Sequence, residues 1–146
     1  MVVRRLVRQD IEPAMGLVSE TFSELFAVDM YEAIHSAWPE GQLVELDAAG
    51  RLAGLLLAIK RSAFSARILV MAVRVDARGH GIGSQLLRLF LRQCLLEGIQ
   101  EVVLEVRVSN LRAQSFYGRA GFVRIGTLPG YYRDGEDGYV MARRVA

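Results

Sequence analysis

The sequence predicts a mixed α/β (α+β) domain in which helices cover a mostly antiparallel sheet of about seven strands. Strand-like and helix-like segments follow one another in the order β-α-α-β-β-β-α-β-α-β-β. The second and third strands are joined by a short "AAG" turn, a hairpin pattern that needs no helical crossover. No repeat, linker or low-complexity tract interrupts the 146 residues, so one domain over 1–146 is expected.

The elements follow in order. "VVRRLV" at 2–7 is a short first strand. Residues 10–24 have helical spacing, with Asp10 as candidate cap and Pro13 in the first turn, where proline is tolerated. A second helix covers about 27–36 and ends before "WPEG". "QLVELDA" and "RLAGLLLAIK" form the hairpin, and "RILVMAV" at 67–73 lacks polar alternation, as a strand buried on both faces would. A third helix, about 83–96, gathers Leu86, Phe90 and Cys94 in one row and Leu87, Leu91 and Leu95 in the next. Its Gln85, Arg88 and Arg92 face away, and Gly98 is its expected stop. "EVVLEVRV" at 101–108 is a central strand, and Ser109-Asn110 can cap a fourth helix carrying Ala113, Phe116, Tyr117 and Ala120. A strand at about 122–127, the loop "LPGYYRDGEDG" and a strand at about 139–144 complete the chain.

Composition excludes several function classes. Apolar residues make up 52% and charged residues 23%, ordinary values for a globular protein. The net charge is +2 and the basic residues, all Arg except Lys60, are scattered, so no direct nucleic-acid partner is expected. Arg does suit bidentate phosphate contacts, which keeps a small polyanionic ligand in view. Cys94 is the one cysteine and reads as a buried apolar thiol. The N-terminus lacks a signal-type apolar region, and no stretch approaches the ~18 apolar residues of a membrane span. The expectation is a cytoplasmic protein without membrane contact. His35 and His80 have no partner at ligand spacing, so no metal is expected.

The sharpest signal is "VRVDARGHGIGSQLL" at 73–87. The dinucleotide fingerprint G-x-G-x-x-G fails here. Read from Gly79 its third glycine falls on Ser84, and read from Gly81 it falls on Leu86. A nucleotide P-loop fails for want of its lysine. What remains is R-x-x-G-x-G, Arg78, Gly81 and Gly83, between a strand and a helix, where bare backbone amides can hold phosphate oxygens. Gly79 reads as the least constrained of the three.

This arrangement resembles the GNAT superfamily of acetyl-CoA-dependent N-acetyltransferases. The resemblance implies that Arg78, Gly79, His80, Gly81, Ile82, Gly83 and Ser84 bind the coenzyme A pyrophosphate through backbone amides. It further implies that Met71, Ala72 and Val73 pair with the pantetheine arm and that Asn110 contacts the cofactor. Val75 departs from the family, many of whose members have proline there. "LEVRVSNLRAQSFYGRAGF" at 104–122 and "GYYRDGEDGYVM" at 130–141 are similar to RimI-type ribosomal-protein-alanine acetyltransferases and to archaeal and eukaryotic N-terminal acetyltransferase subunits. Glu24, Phe26, Tyr31 and Trp38-Pro39 match that group's first helix-loop-helix by spacing.

Acetyl transfer requires a neutral amine. An α-amino group titrates about 2.5 pKa units below lysine, so at fixed pH its deprotonation is about 3.4 kcal/mol easier. Glu105, within the otherwise apolar "VVLEVRV", where burial would raise its pKa, is the candidate general base. The alternative is a glutamate paired with Arg107 on the same strand face. The resemblance makes Tyr117 the general acid for the leaving thiolate, although its spacing equally suits a core aromatic. It also implies that Tyr131 and Tyr132 hold the substrate backbone, with Glu24 and Tyr31 opposite and Phe26 lining the first side-chain pocket. Glu24 competes with Glu105 as the essential carboxylate. The function expected is acetylation of protein N-termini, with the ribosome or an auxiliary subunit as further partner. The alternatives are acetylation of a small amine or lysine side chain, or a non-catalytic coenzyme A-binding module.

Overall fold

The computed structural model describes residues 2–22 and 26–146. Seven strands form one sheet: β1 (Val2–Arg5), β2 (Leu43–Leu46), β3 (Leu52–Lys60), β4 (Ser65–Val73), β5 (Glu101–Arg107), β6 (Val123–Leu128) and β7 (Gly138–Arg144). Their spatial order is β1-β2-β3-β4-β5-β7-β6, and every pairing is antiparallel except β4 with β5. Helices α1 (Ile11–Thr21) and α2 (Val28–Ala37) lie on one face, α3 (Ile82–Leu96) and α4 (Leu111–Arg119) on the other. The central strands are therefore covered on both faces, which is why 67–73 reads as apolar without alternation. Leu55 and Leu57 pack with α1 and α2, whereas Leu56 and Ala58 pack with α3.

Two irregularities shape the centre of the sheet. Leu57 pairs with Val70 and Ala58 with Ile68, so Leu69 is the extra residue of a bulge in β4. The bulge switches sides: Ala66 and Ile68 face α3 and α4, whereas Val70 and Ala72 face α1 and α2. Beside it, Gln42 is fully buried and its side chain satisfies the Ala58 N–H (2.9 Å) and C=O (2.8 Å). The second irregularity is the short parallel ladder between β4 and β5. It holds only Ser65 with Glu101, Ala66 with Val102 and Arg67 with Val103. A bulge bends and twists its strand, and past Arg67 the two strands run on unpaired with each other, β4 to Val73 and β5 to Arg107.

Some local expectations change. Asp10 does not cap α1 with its side chain. It instead accepts from Arg4 (2.6 and 3.0 Å) and from the Val7 amide (2.8 Å), closing the turn before the helix. Leu95, placed on the apolar face by spacing, is 55% exposed: the Leu86, Phe90 and Cys94 row stays buried, while the row of Leu87, Leu91 and Leu95 turns progressively out to solvent. Gly98 does stop α3, at φ +77°, with the Ile99 amide bonded to the Cys94 carbonyl (2.9 Å).

Candidate functional site

Between β4 and α3 the chain passes through the glycine loop. Gly79 (φ +83°) and Gly81 (φ +78°) are both left-handed, the region that favours glycine. Gly79 is thus as constrained as Gly81, contrary to the sequence expectation. Gly83 has ordinary dihedrals and sits in a close approach instead: a Cβ there would stand 3.3 Å from the Phe116 ring. Arg78 donates from Nε to the Val73 carbonyl (3.1 Å), tying the loop to the end of β4. His80 is exposed, with Nδ1 3.1 Å from the Ala77 carbonyl. The amides of residues 79–84 have no protein acceptor among the described residues, and Gly81 caps α3 with no side chain in the way. Such a row of free N–H groups at a helix start is an anion cradle.

Beside Ser84, a cavity of about 350 Å³ opens between α3 and α4, lined in part by Phe116 and the guanidinium-bearing Arg88, Arg119 and Arg143. The sequence reading missed these arginines as a group. They lie on three elements, and only Arg88 stood near the motif.

The splay between β4 and β5 begins past Arg67 and runs to the loop, carrying Met71, Ala72 and Val73 along one edge. Beyond Arg67 the edges that β4 and β5 turn toward each other have no ladder partner, so an extended ligand with amide groups could bond there. On the α3 and α4 side sits Tyr117, in edge contact with Phe116 (5.1 Å between ring centroids) and Phe122 (5.5 Å). Burial holds its phenol proton well above the ordinary tyrosine value. Asn110 caps α4 by accepting from the Ala113 amide (3.0 Å).

Glu105 lies on the opposite face of β5, since its neighbours Leu104 and Val106 point into the α3 and α4 core. It is ion-paired, but with Arg67 of β4 rather than with Arg107. Arg67 Nε donates to Glu105 Oε1 (2.8 Å) and Arg67 Nη2 to the Tyr131 hydroxyl (2.8 Å). Arg107 is drawn instead to the loop after β6. It bonds Asp134 (2.9 Å) and Glu136 (2.9 Å), and its guanidinium lies 4.1 Å from the Tyr132 ring centre. Hydrogen bonds from Ser109 and then Arg107 hold the Glu136 carboxyl below the usual carboxylate range. The two tyrosines meet edge to face at 5.0 Å, and a Cβ at Gly138 would come within 3.3 Å of Tyr132. Glu105, Tyr131 and Tyr132 are thus brought to one face of the splay. The sequence signal for Arg67 was present, a lone charge in an apolar strand, but its partner lies 38 residues away.

Phe26 packs edge-on to Tyr31 (6.4 Å), and Tyr31 is buried, with its phenol proton held up by that burial. Both border a cavity of only about 10 Å³ closed by Met30, Ile34, Leu57, Leu69 and Val70. Glu24 lies outside the described residues. No group of acidic, histidine or cysteine side chains fit for a metal occurs among the described residues. No described helix is long and apolar enough to cross a membrane.

A sheet split between its parallel strands, free amides at the end of the split and ionisable side chains on either side are an arrangement that acyl transfer could use. Comparison with known proteins identifies the class: the profile of the Acetyltransferase (GNAT) family matches residues 11–122, and the chain belongs to that family. It is 32% identical over 146 residues to an N-acetyltransferase of Methanocaldococcus jannaschii, covering 99% of this chain and 92% of the relative. It is also 32% identical over 135 residues to N-alpha-acetyltransferase 30 of Schizosaccharomyces pombe, covering 90% and 89%. Its fold superposes on the crystal structure of Ard1 from Thermoplasma volcanium with a TM-score of 0.95 and 34% identity, covering 99% and 97% of the two chains. As a family member the chain is an N-acetyltransferase that takes its acetyl group from acetyl-CoA.

Proposed function

We propose that this protein acetylates the α-amino group of peptide and protein N-termini by direct attack on the acetyl-CoA thioester. The observation that carries the reading is the Glu105 carboxylate, with Tyr131 beside it, over the opening between β4 and β5. An acceptor amine in that opening meets a carboxylate on one side and the protonated Tyr117 across the sheet. Glu105 takes the amine proton as the bond to the acetyl carbon forms, and Tyr117 protonates the departing thiolate. Glu105 is preferred to Glu24 as the essential carboxylate because its surroundings account for a fixed, partly buried acceptor.

On the donor side, the amides of 79–84 would hold the pyrophosphate and the edge at Met71, Ala72 and Val73 the pantetheine arm. Arg88, Arg119 and Arg143 would receive the phosphorylated adenosine end in the neighbouring cavity. Asn110 Oδ1 is engaged in capping, which leaves its side-chain amide as the group available to the donor.

On the acceptor side, Tyr131 and Tyr132 form an aromatic wall fixed by two arginines from adjacent strands. Braced aromatics on a loop suit ligand binding better than packing, and the N-alpha-acetyltransferase names of the relatives make a peptide backbone the ligand to expect. The Phe26–Tyr31 contact, with its small cavity, would receive the first side chain. Residues 1–146 would act as one catalytic unit, since the groups lie on one sheet and on the helices and loops attached to it. Relatives with N-alpha-acetyltransferase names support the acceptor class. An auxiliary subunit or the ribosome remains an additional partner to test.

The test is thiol release from acetyl-CoA with three acceptor panels: free-N-terminal peptides, lysine peptides with blocked N-termini, and polyamines. Turnover confined to the first panel is expected. Turnover confined to either of the others overturns the acceptor assignment, and acetyl-CoA binding without turnover on any panel overturns the catalytic one.

A further inference from the structure

We propose that Arg67 is a positioning residue for this reaction, fixing one oxygen of Glu105 and the hydroxyl of Tyr131 so that base and peptide-binding loop are aligned together. The proposal rests on the reading of Glu105 as general base. Two donors of one guanidinium, Nε (2.8 Å) and Nη2, converge on Glu105 Oε1. Nη2 is shared with the Tyr131 hydroxyl (2.8 Å), which is itself 3.3 Å from the same Oε1. Every contact falls on that oxygen. Oε2 has no partner among the described residues.

That asymmetry separates Arg67 from an ordinary stabilising pair. A side-on arginine–carboxylate pair engages both oxygens at once. Here the guanidinium holds the carboxylate by one corner and leaves the other oxygen to accept a proton. The anchor is stiff, because Arg67 occupies the last rung of the parallel ladder, opposite Val103, and is paired on its other edge with Ile59. Glu105 lies two residues beyond Val103, at the point where the strands part. The hold on Tyr131 brings in the loop before β7, whose neighbouring Tyr132 rests on Arg107. Lysine could not substitute fully: a single ammonium on a flexible stem lacks the planar fork that reaches both acceptors at once.

The experiment compares wild type with Arg67→Met, Arg67→Lys, Glu105→Gln and the Arg67→Met/Glu105→Gln double variant, measuring kcat, both KM values and Tm. A misaligned base should cost between about 10- and 100-fold in kcat for Arg67→Met. Its peptide KM should rise through the freed Tyr131, with acetyl-CoA KM unchanged. Free guanidinium ion should restore part of the lost kcat in Arg67→Met, and Arg67→Lys should fall between the two. In the Glu105→Gln background, Arg67→Met should produce no further loss of kcat. Multiplicative losses in the double variant, or undiminished kcat in Arg67→Met, overturn this proposal alone. Undiminished kcat in Glu105→Gln overturns the base assignment beneath it.

Discussion

Replacing Gly79 and Gly81 singly by alanine tests the loop at its most specific point. Both have positive φ, at +83° and +78°, and an added Cβ at either meets no atom within 4 Å. Steric clash is therefore absent, and the whole cost is the left-handed backbone, about 1–2 kcal/mol per alanine. For a chain of this size each kcal/mol lowers Tm by about 2–4 °C, so each variant should melt about 2–8 °C below wild type. Gly83→Ala is the internal control. Its backbone is helical, where alanine gains up to about 1 kcal/mol, against a tight 3.3 Å approach to Phe116. Its Tm should stay close to wild type. If Gly79 or Gly81 relieves its strain by rotating the backbone, the free amides turn away from the donor and acetyl-CoA KM rises. Thermal unfolding followed by circular dichroism, with initial-rate kinetics in acetyl-CoA, measures both effects. A Gly79→Ala variant with wild-type Tm and KM would refute the left-handed assignment at that residue and the equal weight given to the two glycines.

Three further outcomes follow from buried groups. Tyr117→Phe should lower kcat by about 100-fold or more while leaving acetyl-CoA KM unchanged, since it removes the donated proton but keeps the ring packing; unchanged turnover removes the acid role. Glu45 is buried with Oε1 unbonded among the described residues, and burial raises its folded-state value above the ordinary one. Its contribution to stability is therefore present below the ordinary carboxylate range and lost as pH climbs toward the raised value. Glu45→Gln should flatten that part of the stability–pH curve, which urea unfolding at a series of pH values would reveal. Burial pushes the Cys94 thiol up to about 12, so a thiol reagent should leave the folded protein unlabelled and react once it unfolds.

Much of the fold was legible because its signals are local. Periodicity placed all four helices and all seven strands within a few residues. The "AAG" turn revealed the β2–β3 hairpin, with Gly50 at φ +80° and Asp47 accepting from Ala49 and Arg51. The bulge at Leu69 was hidden, because both of its flanking faces are apolar and a slip in alternation leaves no trace there. The site divides in the same way. The glycine loop is contiguous and could be read directly, including what it is not. The partner of Glu105 could not. Arg107 is close in sequence and on the same strand face, but the loop before β7 supplies Asp134 and Glu136 to occupy it. Arg67 arrives from the neighbouring strand through the parallel ladder. Tertiary contacts of that kind also gather Arg88, Arg119 and Arg143 from three separate elements.

The most direct measurement uses one peptide with a free N-terminus and an internal lysine, incubated with the protein and acetyl-CoA, then fragmented by mass spectrometry. The account predicts a single acetyl group, on the α-nitrogen, lost in Glu105→Gln. Acetyl on the lysine side chain with the N-terminus untouched would contradict it.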